Sequence, residues 1–333
     1  MGKEWITLRK SKLKQDAEAA LDKIQDKTGL NPWSREQAGS LLEVAYLTGD
    51  LPLESNGRTK RVSTDDIMEW YRSQVLRLTV ELSQKDYRRA NAYSFYDILV
   101  GELDQTDFGS GGRQRSLGQH LEDALGGYLA EIAVANFLEN KGLETVELDL
   151  GRNAAVKEMK GSDIASISND GDLRSPDLDI QIKKSKPGSM WLPLNTKDEN
   201  DADVYILARV GLPYEHLVMY LRTIGVFDEI IESLNNGRQR ELIEKIPLFD
   251  NIPVHISGFA YWSEFKKGKL KLDERQKNTV IVGGIGEVPS DPPAEHDTSN
   301  IKLEQGSLNE NYIAATSALH TGSGDWKQLI GCL

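Results

Sequence analysis

The sequence predicts an α/β protein in which a helical N-terminal segment precedes a mixed central sheet flanked by helices. Three observations carry this prediction. From Leu117 to Asn140 apolar residues recur at helical spacing along a wide stripe, and from Asp177 to Lys183 they alternate strictly, as on a half-buried strand. Asp203 to Val210 (DVYILARV) is a short apolar run that suits a buried strand. At 333 residues the chain suffices for one large or two medium domains. Composition shifts divide it into 1–110, a helical accessory unit; 111–270, the core; and 271–333, a partly irregular extension.

Composition excludes several classes. The chain is 39% hydrophobic and 28% charged, an ordinary soluble balance, and lacks the run of about 18 apolar residues that a membrane helix needs. Its first residues, MGKEWITLRKSKLKQ, are basic but lack the apolar stretch of a signal peptide. Cys332 is the single cysteine, so an intramolecular disulfide and a cysteine-based zinc site are excluded, and a reducing cytoplasm is the expected location. The five histidines are scattered without metal-ligand spacing. A net charge of −12 argues against a surface that coats nucleic acid broadly, yet it leaves room for one basic channel and for a carboxylate-lined metal site.

Residues 1–110 read as helical throughout. Leu13 to Ile24 has helical spacing and good helix formers. Ser34-Arg35-Glu36-Gln37 forms a capping box for a helix over Ala38 to Leu47 that stops near Gly49. Asn56 to Arg61 reads as a basic turn, Ser63 caps a helix running from Ile67 to about Leu82, and a further helix spans Tyr87 to Leu103. Asp107 to Gly118 is Gly-rich and polar and marks the domain boundary; no Gly-Lys-Ser/Thr follows a strand, so it is not a phosphate-binding P-loop.

Within the stripe of the Leu117–Asn140 helix sits Glu131, a carboxylate facing a core, which is costly unless it is paired or bound to a metal. Glu144 to Leu150 reads as the first core strand. Asp163 then opens a strand, Asn169 to Asp172 forms a reversal, and a second strand from Asp177 to Lys183 completes a hairpin. On that second strand Leu178, Ile180 and Ile182 point one way, and Asp177, Asp179, Gln181 and Lys183 the other. Folding does not require this polar row. An acid beside an oxygen ligand two residues before a lysine suits phosphodiester hydrolysis: oxygens hold Mg²⁺, and an ammonium orients water or steadies phosphate charge.

The order of helix with inward Glu131, strand, Gly161-Ser162-Asp163, then Gln181-Ile182-Lys183 resembles the PD-(D/E)xK nuclease superfamily, in the variant whose second acid is Gln. The resemblance covers roughly residues 117–265. It implies a restriction-endonuclease-like core and a Mg²⁺-dependent endonuclease, with Mn²⁺ able to substitute. Asp163 and Gln181 would hold the metal, Glu131 would support it, and Lys183 would activate or orient the water; Asp179 is the rival ligand. Double-stranded DNA is the implied partner and a homodimer the implied assembly. A restriction or defence enzyme is the favoured subclass, with the N-terminal unit supplying specificity, and a repair or junction-resolving nuclease comes next. Lys184, Lys186, Arg113, Arg115, Arg58, Lys60 and Arg61 become candidate DNA contacts, with Lys10, Lys12 and Lys14 beside them. Two departures stand out: Gln181 removes a negative charge from the metal shell, and the literal Pro176-Asp177 lies on the Lys183 strand, so Asp163 is the preferred acid.

Beyond Lys186, Ser189 to Leu194 reads as a loop packing Trp191, and Tyr214 to Ile224 as a further strand. Val226 to Leu234 and Gln239 to Ile246 read as helices. Ile252 to Trp262 is a strand broken at Gly258, with a structural His255. From about Val288 the composition is that of a linker, Tyr312 to Leu319 is a short helix or strand, and Trp326 to Leu333 can tuck onto the domain. Two competing readings remain: a DNA-binding or scaffold module whose metal site is lost, and a helical adaptor.

Overall fold

The computed structural model describes residues 4–9, 12–28, 32–56, 59–100, 117–150, 162–169, 171–195, 201–233, 237–271, 280–285 and 310–333. Residues 101–116 (which include most of the expected boundary Asp107–Gly118), Gly161 and residues 286–309 lie outside the described residues.

The N-terminal unit is mixed rather than all helical. β1 (Trp5–Leu8), α1 (Leu13–Thr28) and α2 (Arg35–Thr48) are followed by β2 (Glu54–Asn56), β3 (Thr59–Ser63) and α3 (Thr64–Trp70). The capping box forms as expected: the Ser34 hydroxyl accepts from the Gln37 N–H, the Gln37 side chain accepts from the Ser34 N–H, and Gly49 ends α2 with φ 84°. The strands arise by pairing across distance. β3 sits between β1 and β2, with Trp5 opposite Ser63 and Glu54 opposite Arg61. Alternation in so short a run as Trp5–Leu8 carries little local signal, and the partner decides. The helix expected to reach Leu82 ends sooner. After α3 the chain passes through a π turn (Tyr71–Val75) and a 3₁₀ turn (Leu76–Leu78) into β4 (Thr79–Leu82).

Hydrophobic burial draws the division between units near residue 76. Ile6, Leu21, Ile24, Leu42, Ile67 and Tyr71 share one cluster; Leu78, Val80 and Leu82 already belong to the next, with Tyr87 and Ala90 of α4 (Gln84–Val100). That second cluster is built on α5 (Leu117–Asn140), which is buried on nearly every side. β5 (Thr145–Leu148), β6 (Ile164–Ser168) and β7 (Leu173–Arg174) form a small antiparallel sheet in the order β5-β6-β7.

β8 (Ile180–Ser185), β9 (Trp191–Asn195) and β10 (Val204–Val210) come next, then α6 (His216–Thr223), α7 (Asp228–Ser233) and α8 (Gly237–Glu244). The stretch Tyr214–Ile224 thus contains the helix α6 rather than a strand: Tyr220 packs on Tyr87 at 5.1 Å between ring centroids, and the Tyr87 hydroxyl meets His216 Nδ1 at 2.6 Å. β11 (Ile252–Tyr261) completes a mixed central sheet of order β4-β11-β10-β8, in which β10 runs antiparallel to β11 and parallel to β8. β12 (Lys266–Lys271), β13 (Val280–Ile285) and β14 (Glu310–Ala315) join β9 in a second sheet, and α9 (Ser323–Cys332) follows.

The two faces of the central sheet meet different layers. Ile180, Ile182, Val204, Ile206 and Ala208 pack with α5, as a sheet flanked by helices requires. The alternate residues, Tyr205 and Leu207, pack with Leu192 and Leu194 of β9 and with Tyr312 and Ala314 of β14, so this face is covered by a sheet where helices were expected. The region 271–333 enters the core directly: Trp326 is fully buried, with ring centroids 4.8 Å from both Phe137 and Phe259.

Candidate active site

The expected hairpin forms in altered terms. Gly171, at φ 87°, makes the reversal, but the arm returning along β6 is the short β7, with Ile167 opposite Arg174. Pro176 lacks an N–H, and the Asp177 N–H turns away to the Leu333 carbonyl. The strand thus resumes only at Ile180, where Ile180 and Ile182 can enter the α5 core. β8 then pairs with β10, Ile180 opposite Val204 and Lys183 opposite Leu207.

Asp163 reaches the free edge of β8. Its N–H donates to the Ile180 carbonyl at 2.7 Å, and its Oδ2 accepts from the Ile182 N–H at 2.6 Å. The carboxylate therefore takes the place that a neighbouring strand's carbonyl would occupy, and it is fixed between Gln181 and Lys183. The Ser162 hydroxyl holds the same junction, accepting from the N–H groups of Ile180 and Ile164. Gln181 and Lys183 share the sheet face of Tyr205 and Leu207. Gln181 is buried, and its Oε1 has no hydrogen-bond partner among the described residues. Lys183 is half-buried, with Nζ 5.8 Å from the centroid of the Tyr205 ring.

Other expected residues fall elsewhere. Glu131 is buried, 6% exposed, on α5, whose contacts lie on the Ile180/Ile182 face, opposite the face that carries Gln181 and Lys183. Lys184 also points toward α5. Its Nζ lies 3.3 Å from Asp123 Oδ1, and its stem crosses Gly126 so closely that a Cβ there would stand 2.8 Å from Lys184 Cδ. Lys186 is exposed just past β8. Asp179 is exposed at the strand's start, where its N–H donates to Asp203 Oδ2 and its carbonyl accepts from the Asp203 N–H. Asp177 is exposed and pairs with Arg174. In the N-terminal unit Lys60 lies over the Tyr46 ring, Arg61 over the Trp5 ring, Lys14 pairs with Glu36, and Lys12 is exposed. Lys10, Arg58, Arg113 and Arg115 lie outside the described residues.

Two buried basic side chains were not singled out for chemistry. Arg209 ends the apolar run of β10; a charged residue within such a run was the available signal. Its Nη2 donates to the Ser189 carbonyl at 2.6 Å, and burial lowers its pKa to about 10 against the attraction of Asp50. His255, read as structural, bridges the two units: Nε2–H donates to the Gln74 carbonyl at 2.8 Å, and Nδ1 accepts from the Ser257 hydroxyl at 3.0 Å. Burial, then the Arg209 charge, drives its pKa down to about 3, so the ring is neutral.

Among the described residues no three His, Cys, Asp or Glu side chains cluster as a metal site, and no helix is long and apolar enough to cross a membrane. Comparison with family models, with curated proteins and with solved structures returned no match.

Proposed function

We propose that the protein is a metal-dependent endonuclease with a restriction-endonuclease-like core, hydrolysing phosphodiester bonds of double-stranded DNA. One observation carries the reading: Asp163, distant in sequence, has its carboxylate bonded to the backbone of the Gln181-Ile182-Lys183 strand. The donor set fits Mg²⁺ or Mn²⁺, being oxygen throughout, and the buried Gln181 Oε1 lacks the partner that a buried amide carbonyl normally finds. When bound, the metal would supply a water of lowered pKa and positive charge toward the phosphate. Asp163 and Gln181 would hold it. Lys183, on the same face, orients the attacking water and steadies charge on the phosphate oxygens. Glu131, buried on α5, would be a supporting carboxylate.

The finer reading is a restriction or defence enzyme of the cytoplasm, working as a homodimer, with the unit that ends near Val75 reading the DNA. Junction resolution or repair is the neighbouring role. A second reading has its own support: the neutral Gln181, which brings no charge to a metal, favours a DNA-binding module that has lost its chemistry. Plasmid cleavage in Mg²⁺, Mn²⁺ or EDTA, beside Lys183→Ala and a DNA-binding assay, decides between them. The nuclease requires metal-dependent fragments that vanish in the variant while binding persists. Wild-type binding without cleavage would leave the module.

A further inference from the structure

The face of the central sheet that carries Gln181 and Lys183 continues to a second feature. Arg209 stands on β10 four residues, about 13 Å, beyond Tyr205, which lies opposite Gln181. There the N-terminal unit meets the core around a cavity of about 280 Å³. Leu41, Val75 and the Trp70 side chain line it from one unit, and Arg209 and Thr316 from the other, with Asp50 exposed at its rim.

Arg209 is 4% exposed, and its Nε has no hydrogen-bond partner among the described residues; the buried Thr316 Oγ1 has none either. A buried guanidinium is costly unless hydrogen-bonded and paired, and Asp50 attracts it without forming an ion pair. His255 adds no second cation to the wall, because its two nitrogens are already engaged with Gln74 and Ser257. The cavity therefore offers one fixed positive charge and, from Thr316, Ser317 and Thr321, hydroxyl donors, beside the apolar side chains of Leu41, Val75 and Trp70. Its volume sits near the lower limit of small-molecule sites, about 300 Å³, larger than an inorganic anion needs.

We propose that this cavity binds a nucleoside monophosphate, with Arg209 and Thr316 donating to the phosphate and the base lying against Trp70. A guanidinium fork matches phosphate oxygens, and an indole face accepts any base by stacking. The site does not depend on the nuclease reading.

Calorimetric titration of the full chain without divalent metal tests it, using nucleoside 5′-monophosphates, orthophosphate and the parent nucleosides as probes. A monophosphate should bind at least tenfold more tightly than orthophosphate or nucleoside. Arg209→Lys, which loses the fork, should weaken binding at least tenfold. Thr316→Val should weaken it several-fold while leaving the melting temperature equal or higher, since it deletes a buried unpaired hydroxyl. If Arg209→Lys fails to fold, Thr316→Val alone decides. A 5′-phosphorylated oligonucleotide that competes more strongly would keep the phosphate subsite and make a strand end its source. Absent monophosphate binding, equal binding of the bare nucleoside, or affinity untouched by both variants would overturn the proposal.

Discussion

His255 makes the joint between the two units sensitive to acid. Its pKa falls from an ordinary 6.5 to about 3 in the folded chain, through burial and then the Arg209 charge, while Asp50 stands on the rim of the adjoining cavity. Because the folded value lies below the unfolded one, the unfolded chain binds the extra proton between them. The contribution to stability is thus complete above about pH 6.5 and is lost progressively as pH falls toward 3. Linkage puts the loss between pH 7 and pH 5 at about 2 kcal/mol. Urea unfolding of wild type and His255→Gln at both pH values isolates this, since carboxylates and the similarly depressed His216 are common to the two proteins. Wild type should exceed the variant by about 2 kcal/mol more at pH 7 than at pH 5. A gap that does not change with pH would refute a neutral, buried His255.

Three further outcomes are expected. Gln181→Glu places a second carboxylate beside Asp163: it should melt lower than wild type in EDTA, yet gain more from saturating Mg²⁺, about 1.4 kcal/mol for each tenfold in affinity at fixed metal. Trp326→Ala empties the space between Phe137 and Phe259 and should cost about 3–5 kcal/mol by denaturant titration. Gly258→Ala meets both a φ of 123° and a Cβ position 2.8 Å from the His320 carbonyl oxygen, so it should cost about 2 kcal/mol or more by thermal melting.

Elements with strong local signals were legible in the sequence. α2 carries its own cap and stop, α5 its full helical stripe, and β10 a run that is apolar apart from Arg209. β4 was not, because Thr79–Leu82 continues a helical pattern and becomes a strand only when His255 pairs opposite Thr79. α6 was misread for a related reason: Tyr, Val, Met and Leu suit a buried strand, and packing on Tyr87 selects the helix. In the candidate site, Gln181 and Lys183 were readable from alternation on a single strand. That α5, which carries Glu131, covers the Ile180/Ile182 face of that strand was not, since a helical stripe does not say which sheet face it covers. The grouping of Asp50, Arg209 and Thr316 was beyond reach, as three remote segments meet only in the folded chain.

The packing of Trp326 between Phe137 and Phe259 has a consequence in time. Phe137 and Trp326 are separated by roughly 190 residues, which at translation speeds of about 5–20 residues per second is on the order of 10–40 s of synthesis. During that interval Phe137 of the nascent α5 lacks its Trp326 partner. The Gln181–Lys183 strand emerges before Trp326, but the core behind it closes only afterwards. A ribosome-bound chain halted before Trp326 should therefore be an aggregation-prone client of chaperones.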